Sequence, residues 1–378
     1  MPLAREIYRD QYSGYTKEYT TDGAPLREVY NTTYYTQSKE TVYNDKKQIT
    51  SILTLEKGNK QDSWAGEEGF VSIYEYAGEN YRVIGYAGDT KSYANFIARQ
   101  HLIPGKTDWH SIAEAYSIHE FTQEKGQLIA EQYRNIKDNT KQSSSYTYDN
   151  GLKTAETRVA EDGTIRKTIF SYENGLLQLK TNFVNGEFLD MTIYVYKDGL
   201  LLEEQQMRKY QGIQYMALQK KFFYSAQKEL TKTESYGRYD SKMPLYSTEE
   251  NIRAGNTLTK KSAVISNLES VIGYYNLSAL HEMFRREQMD WAISLFDAKY
   301  LATAVFDGKS CTIEKYDDHG HIIESSFMHP ENHAEVLAKM LYRNEYNDKD
   351  LPEFVISYRM ADDGKMEETD IKKFYYHS

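Results

Sequence analysis

The residues of this chain that could do chemistry are few, and most are poorly spaced for it. His119-Glu120 and His281-Glu282 open like the zinc-protease pattern, in which two histidines one helical turn apart hold the metal and the glutamate acts as base. Gln123 and Arg285 stand where the second histidine is required. The densest cluster is Asp317, Asp318, His319 and His321, with His329 and His333 downstream. Histidines two apart on a strand share a face and suit zinc or copper, but Gly320 between them and the two preceding aspartates make a hairpin turn the simpler account. Neither a dinucleotide-type nor a Walker-type glycine loop is present, so no phosphate cradle can be argued. Cys311 falls in an expected strand, where a thiol is ordinarily a packing group. With 56 acidic residues in the chain, no pair of carboxylates stands out. The expectation is a non-enzyme with no cofactor and no metal; an enzyme of unrecognised type is the reading kept in reserve.

What the sequence does space regularly is aromatic rings. Tyr146-Thr-Tyr148-Asp149-Asn150-Gly151-Leu152, Phe170-Ser-Tyr172-Glu173-Asn174-Gly175-Leu176 and Tyr194-Val-Tyr196-Lys197-Asp198-Gly199-Leu200 recur every 24 residues. Asn-Gly or Asp-Gly after an alternating run signals a two-residue hairpin, because such turns need positive φ that Asn, Asp and Gly tolerate cheaply. A second turn follows half a period later, at Glu161-Asp162-Gly163 and Val184-Asn185-Gly186. Each repeat is then one hairpin with strands of roughly 8 to 10 residues, and consecutive hairpins form a meander. Alternation puts Tyr146, Tyr148, Phe170, Tyr172, Tyr194 and Tyr196 on one side as a ladder, its rungs about 9.6 Å apart if one strand separates them. These six residues are the candidate partner-binding face. Ile165, Ile169, Leu189, Met191, Ile193 and Val195 line the opposite side. A weaker copy at Phe222-Phe223-Tyr224 follows a loop around 209–212 expected to absorb its extra residues.

The expected fold class is mainly β: an extended antiparallel meander of hairpin repeats with a few covering helices, α+β towards the C-terminus. Residues 1–120 read as an irregular β-rich region with short helices between 92 and 117. Residues 121–240 read as the repeat sheet, with a polar loop or hairpin tip at 137–145. Residues 241–378 read as α+β. In that last part, 240–262 look like a connection and strands return at 300–306. Helices are expected near 277–296 and 331–344, from apolar spacing and from Pro330. A closing hairpin spans 354–360 and 366–376, turned at Ala361-Asp-Asp-Gly364.

Composition narrows the partners. A net charge of −10 disfavours a nucleic-acid or anionic-membrane surface and favours a protein partner that is itself basic. Tyrosine, with 35 copies, suits surfaces that are half apolar and half wet. The single cysteine excludes an internal disulfide framework. No apolar run reaches transmembrane length and the first residues lack a signal-peptide core. The expected location is therefore cytoplasmic, or periplasmic or cell-surface if a leader precedes this sequence.

The three regular units resemble the bacterial MORN-variant repeat, an aromatic pair followed by an acidic-Asn-Gly turn and an aliphatic strand. Tyr316-Asp317-Asp318-His319-Gly320-His321-Ile322 is closer to the tyrosine-aspartate repeats of Rhs-type toxin shells. The resemblance implies an extended β surface that holds another macromolecule, and a role as antitoxin or immunity component. A cell-envelope module for glycan or peptide is the alternative.

Overall fold

The computed structural model describes residues 2–10, 12–58, 68–89, 115–210, 212–238, 243–265, 308–329, 332, 335–361 and 363–377. Among them every regular element is a β-strand. In chain order these are β1 Leu3–Asp10, β2 Ser13–Tyr19, β3 Pro25–Thr32, β4 Tyr35–Tyr43, β5 Ile49–Gly58, β6 Glu68–Ala77, β7 Asn80–Asp89, β8 Ala115–Glu124, β9 Gln127–Asn135, β10 Thr140–Asp149, β11 Leu152–Val159 and β12 Ile165–Glu173. They continue as β13 Leu176–Val184, β14 Glu187–Lys197, β15 Leu200–Tyr210, β16 Ile213–Tyr224, β17 Leu230–Gly237, β18 Leu245–Ala254, β19 Thr257–Val264, β20 Gly308–Tyr316, β21 Ile322–Met328, β22 Val336–Tyr346, β23 Pro352–Met360 and β24 Met366–Tyr376.

The chain divides into two compact units: Met1–Thr147 with Thr157–Thr164 and Tyr342–Ser378, and Tyr148–Glu156 with Ile165–Leu341. In the first, β1 to β10 pair antiparallel in succession. There β23 pairs with β24, and β24 pairs with β1 from Leu3↔Tyr376 to Asp10↔Asp370. The first strand therefore has a neighbour on each side. In the second unit β12 to β21 form the same sequential meander, and Val336–Leu341 of β22 pair with β21.

The turns explain the regularity. At the repeat tips both central residues are left-handed: Asn150 and Gly151, Asn174 and Gly175, Asp198 and Gly199, with Asn174 at φ 50° and Gly175 at φ 78°. That twist matches the flanking strands. A β-bulge falls where the second aromatic of the motif stands, between Ser171 and Tyr172, Val195 and Tyr196, and Phe223 and Tyr224. The extra residue, Gln178, Leu202 or Thr231, lies on the partner strand and bends it just after its turn.

Full burial is sparse. In the first unit Leu53, Val71, Ile84 and Tyr86 form a core on one face of β5–β7, with Leu55, Ile73, Ala115 and Ile118 packed against it. In the second, Tyr215, Ala217, Ile265, Cys311 and Met328 are buried.

Several sequence expectations are corrected. The helix expected at 331–344 is strand β22 from Val336: Leu-Ala-Lys-Met-Leu favours helix locally, but pairing with β21 through Glu324↔Leu341 to Met328↔Val336 decides the outcome. Of the connection expected at 240–262, residues 245–262 belong to the hairpin β18–β19, whose charges look solvated in sequence but face each other as Glu250↔Lys261, while 240–242 lie outside the described residues. The polar stretch 137–145 is strand from Thr140 onward. The extra residues before Phe222-Phe223-Tyr224 lengthen β15 and β16 to 11 and 12 residues rather than forming a loop. Of the helices expected within 92–117, residues 115–117 belong to β8; residues 92–114, the helix at 277–296 and the strand at 300–306 lie outside the described residues.

Candidate interaction surface

Four strands of the first unit each carry a cation followed directly by a glutamate: Arg5-Glu6, Lys17-Glu18, Arg27-Glu28 and Lys39-Glu40. Consecutive strand residues point to opposite faces and antiparallel neighbours reverse the order, so plus meets minus on both faces. On one face the register aligns Glu6, Lys17, Glu28 and Lys39; on the other, Arg5, Glu18, Arg27 and Glu40. Lys17 and Lys39 flank Glu28 at 3.7 and 3.8 Å, and Arg27 lies 3.4 Å from Glu40. The signal, a +− doublet every 10 to 12 residues, is present in the sequence but is not an aromatic motif.

The second unit achieves the same with like-charged doublets. Glu203-Glu204 on β15 faces Lys220-Lys221 on β16, as Glu203↔Lys221 and Glu204↔Lys220. Glu249-Glu250 on β18 lies against β19, which carries Lys260-Lys261. Each doublet places charge at mid-strand on both faces, where a lipid-spanning sheet needs an apolar band on one.

Within these rows certain glutamates are nodes. Glu6, only 8% exposed, accepts from Tyr15 Oη at 2.5 Å and lies 2.6 Å from Lys372 Nζ. Glu314 accepts from Tyr316 Oη at 2.5 Å and Lys260 Nζ at 2.7 Å. Glu234 is held by Tyr236 at 2.6 Å and Lys232 at 2.8 Å, and Glu324 by Lys315 and Lys339, both at 3.2 Å. Burial pushes the Glu6, Glu314 and Glu324 carboxyls up, but their lysine and tyrosine donors outweigh it and leave each below the ordinary value. The Lys232 and Tyr236 hydrogen bonds lower Glu234 against a smaller effect of burial. Glu131, also lowered on balance, accepts from Tyr146 Oη at 2.6 Å and lies 3.3 Å from His119 Nε2.

All six ring residues expected to form the ladder are half-buried, yet they do not present six open faces. Tyr146 is bound to Glu131 as above, and Lys153 Nζ sits 5.1 Å from the Phe170 ring centre. Tyr172 Oη donates to the Lys153 carbonyl at 3.0 Å. Burial, then Glu204 and Tyr196, raise the Tyr194 hydroxyl. Between β12 and β14 the register runs Phe170↔Lys180↔Thr192, so the intervening strand sets polar groups between rungs. Tyr148 and Tyr196 close their strands beside the turns.

The Tyr172 bond is one of a set. Tyr43, Tyr76, Tyr224 and Tyr376 each donate to a carbonyl near the start of the preceding strand: Pro25 at 2.7 Å, Ile49 at 2.9 Å, Leu201 at 2.9 Å and Pro352 at 2.8 Å. The closing aromatic of a repeat thus staples one hairpin strand to its neighbour. Direct ring-on-ring ladders lie in the first unit. Tyr8 stacks on Tyr15 at 5.2 Å, with Tyr30 beyond at 5.8 Å. Tyr81 stacks on Phe121 at 4.5 Å, and Phe121 meets His119 at 4.0 Å.

Asp317 Oδ1 accepts from the backbone N–H of both His319 and His321, which makes that cluster the turn between β20 and β21. Cys311 is 2% exposed beside Met328 in the register. Among the described residues no three His, Cys, Asp or Glu side chains could together hold a metal ion, and no helix is long and apolar enough to cross a membrane.

No protein-family model and no curated protein sequence matches the chain. Among solved structures, a porin-like protein from Bacteroides uniformis aligns over 100% of this chain and 98% of its own at 8% identity, with a TM-score of 0.25. A porin-like protein from Bacteroides vulgatus aligns over 99% and 98% at 8% identity and a TM-score of 0.17. The Photorhabdus luminescens Tc holotoxin pore aligns over 94% of this chain and 24% of its own, at 10% identity and a TM-score of 0.18. Superpositions this loose carry no argument about what the chain does.

Proposed function

We propose that the chain is a non-catalytic protein-interaction scaffold that holds another macromolecule against an extended antiparallel sheet. The observation that carries this reading is the mid-strand charge on both faces: where Glu203-Glu204 lies against Lys220-Lys221, charged side chains are displayed on each side of the sheet. Tyr146, Tyr148, Phe170, Tyr172, Tyr194 and Tyr196 are proposed as part of the contact surface, through ring edges and neighbouring carboxylates. The net charge of −10 supports a basic protein partner and speaks against nucleic acid. In its finer form the proposal makes the chain a MORN-variant or tyrosine-aspartate repeat protein acting as an immunity or antitoxin partner of a bacterial toxin; the tandem hairpins support it.

The reading does not depend on the compartment, and the fold gives the cytoplasm no preference over an envelope or surface location. The test is co-purification of the full chain from its native host followed by mass spectrometry. A stoichiometric protein partner, bound less tightly by Tyr194→Ala and Tyr196→Ala forms of unchanged melting temperature, is the expected result. Recovery of the chain alone under native conditions would refute the proposal.

A further inference from the structure

Across β1 to β4 the charged rows answer plus with minus, but Arg9 at the end of β1 stands outside them. Arg9 shares a face with Arg5, which faces Glu18, but Arg9 itself faces Gly14 on β2 and Ile371 on β24. Among the described residues its side chain makes no ion pair or hydrogen bond. A surface depression lined by Arg9, Tyr12, Gly14, Asn31 and Thr33 opens beside it, and Gly14 lets the chain pack closely at its floor, since a Cβ there would meet the Tyr8 carbonyl at 2.9 Å. Beyond Gly14 in the same row stands Asn31, whose Oδ1 accepts from Thr36 at 3.0 Å, which leaves its amide N–H groups to donate.

Residues of two hairpin tips, Asp10, Tyr12 and Ser13 from one and Thr32 and Thr33 from the other, line this depression and are tied by hydrogen bonds. Asp10 accepts from the Tyr12 N–H at 2.7 Å, the Ser13 N–H at 2.5 Å, the Ser13 hydroxyl at 2.8 Å and the Tyr8 hydroxyl at 3.1 Å. The tip at 33–34 is tied to the first by the Thr33 N–H and hydroxyl, which donate to the Tyr12 carbonyl at 3.1 and 3.3 Å. Each tip displays a tyrosine, Tyr12 at 69% exposure and Tyr34 at 61%. Exposed tyrosine and arginine on hydrogen-bonded turns are what interface hot spots and paratopes use, since such bonds reduce the ordering entropy lost on binding.

We infer that the paired tips are the anchor point for the protein partner, with Arg9 and the Asn31 amide receiving one of the partner's carboxylates in the Gly14 depression while Tyr12 and Tyr34 pack around it. This rests on the scaffold reading and adds where the partner docks and what it presents there. A protein is favoured over a glycan because the unanswered group is a guanidinium, whose fork matches a carboxylate.

The protein captured and identified with the wild-type chain, once purified, is titrated calorimetrically against full-length wild type, Arg9→Ala, Tyr12→Ala, Tyr34→Ala and Tyr194→Ala, each first checked for an unchanged melting temperature. Each tip variant is expected to bind at least tenfold more weakly. The affinity of wild type should fall with added sodium chloride more steeply than that of Arg9→Ala, since only wild type makes the charged contact. Tip variants within twofold of wild type, with Tyr194→Ala weakened, would overturn the docking site and leave the scaffold reading standing. Failure to capture any partner removes both. Binding of a neutral oligosaccharide such as cellohexaose by wild type but not by Tyr12→Ala would also overturn the inference, by giving the tips to a sugar.

Discussion

Single side chains in this sheet are held by contacts that leave little room for change. At Gly85 an added Cβ would lie 2.5 Å from the Ser117 hydroxyl and 2.9 Å from the Tyr116 ring, and Ser117 is buried. Gly85→Ala is therefore expected to cost about 1–3 kcal/mol through forced repacking, read as a lowered denaturation midpoint. The tyrosine staples are milder: Tyr224→Phe removes one hydroxyl-to-carbonyl bond and should cost about 0.5–1.5 kcal/mol in the same measurement. Tyrosine ionisation adds a pH limit. Burial and the Asp10 hydrogen bond push Tyr8 up to about 12, and the Glu234 hydrogen bond and burial take Tyr236 to about 12. Both need the neutral phenol, whose ordinary value is 10.0. Their contribution is full below pH 10 and is lost as pH rises through 12. Absorbance of phenolate should rise together with unfolding; titration of all tyrosines near pH 10 in a folded chain would contradict this.

Pairs of strands are matched by charge, and register is the quantity this protects. A slip of one residue would exchange the faces of Arg27 and Glu28 and set like charges opposite each other. Glu28→Lys places a third cation between Lys17 and Lys39, at an expected cost of about 1–2 kcal/mol from two lost pairs and the new repulsion. The loss should shrink in high salt because these groups are partly solvated. At the same scale Glu6, Glu131, Glu234, Glu314 and Glu324 all sit below the ordinary 4.5. A lowered carboxyl contributes stability above its unfolded value and loses it as pH falls through the folded one. Melting temperature should therefore hold from pH 7 to about 5 and drop below about 4.5; a flat profile to pH 3 would mean that these nodes contribute nothing.

Along the whole chain, the decisive contact is between its ends. Strand β1 is bonded on one side to β2 and on the other to β24, and the His377 N–H donates to the Pro2 carbonyl at 3.1 Å. Deleting residues 1–12 would expose two bonding edges, and open edges seek other chains. The truncated chain is expected to aggregate, as size-exclusion chromatography would show, while a circular permutant joining 377 to 2 and opened at Gly175 stays monodisperse.

Much of this was legible in the residues. Asn174-Gly175 and its relatives specify hairpins because positive φ at two successive residues is a local requirement, so the repeat meander and the turn at Asp317–His321 follow from sequence. Three things were settled only by tertiary pairing. The segment from Val336 has helical local preference, yet lies in a ladder with β21. The charged stretch at 245–264 resembles a solvated connection until its partner strands arrive. Tyr146 and Tyr172, rungs of the expected ladder, donate to a carboxylate and a carbonyl one strand away. Local dihedral needs are written in neighbouring residues, whereas register, and with it what a side chain touches, is fixed only when strands distant in sequence lie side by side.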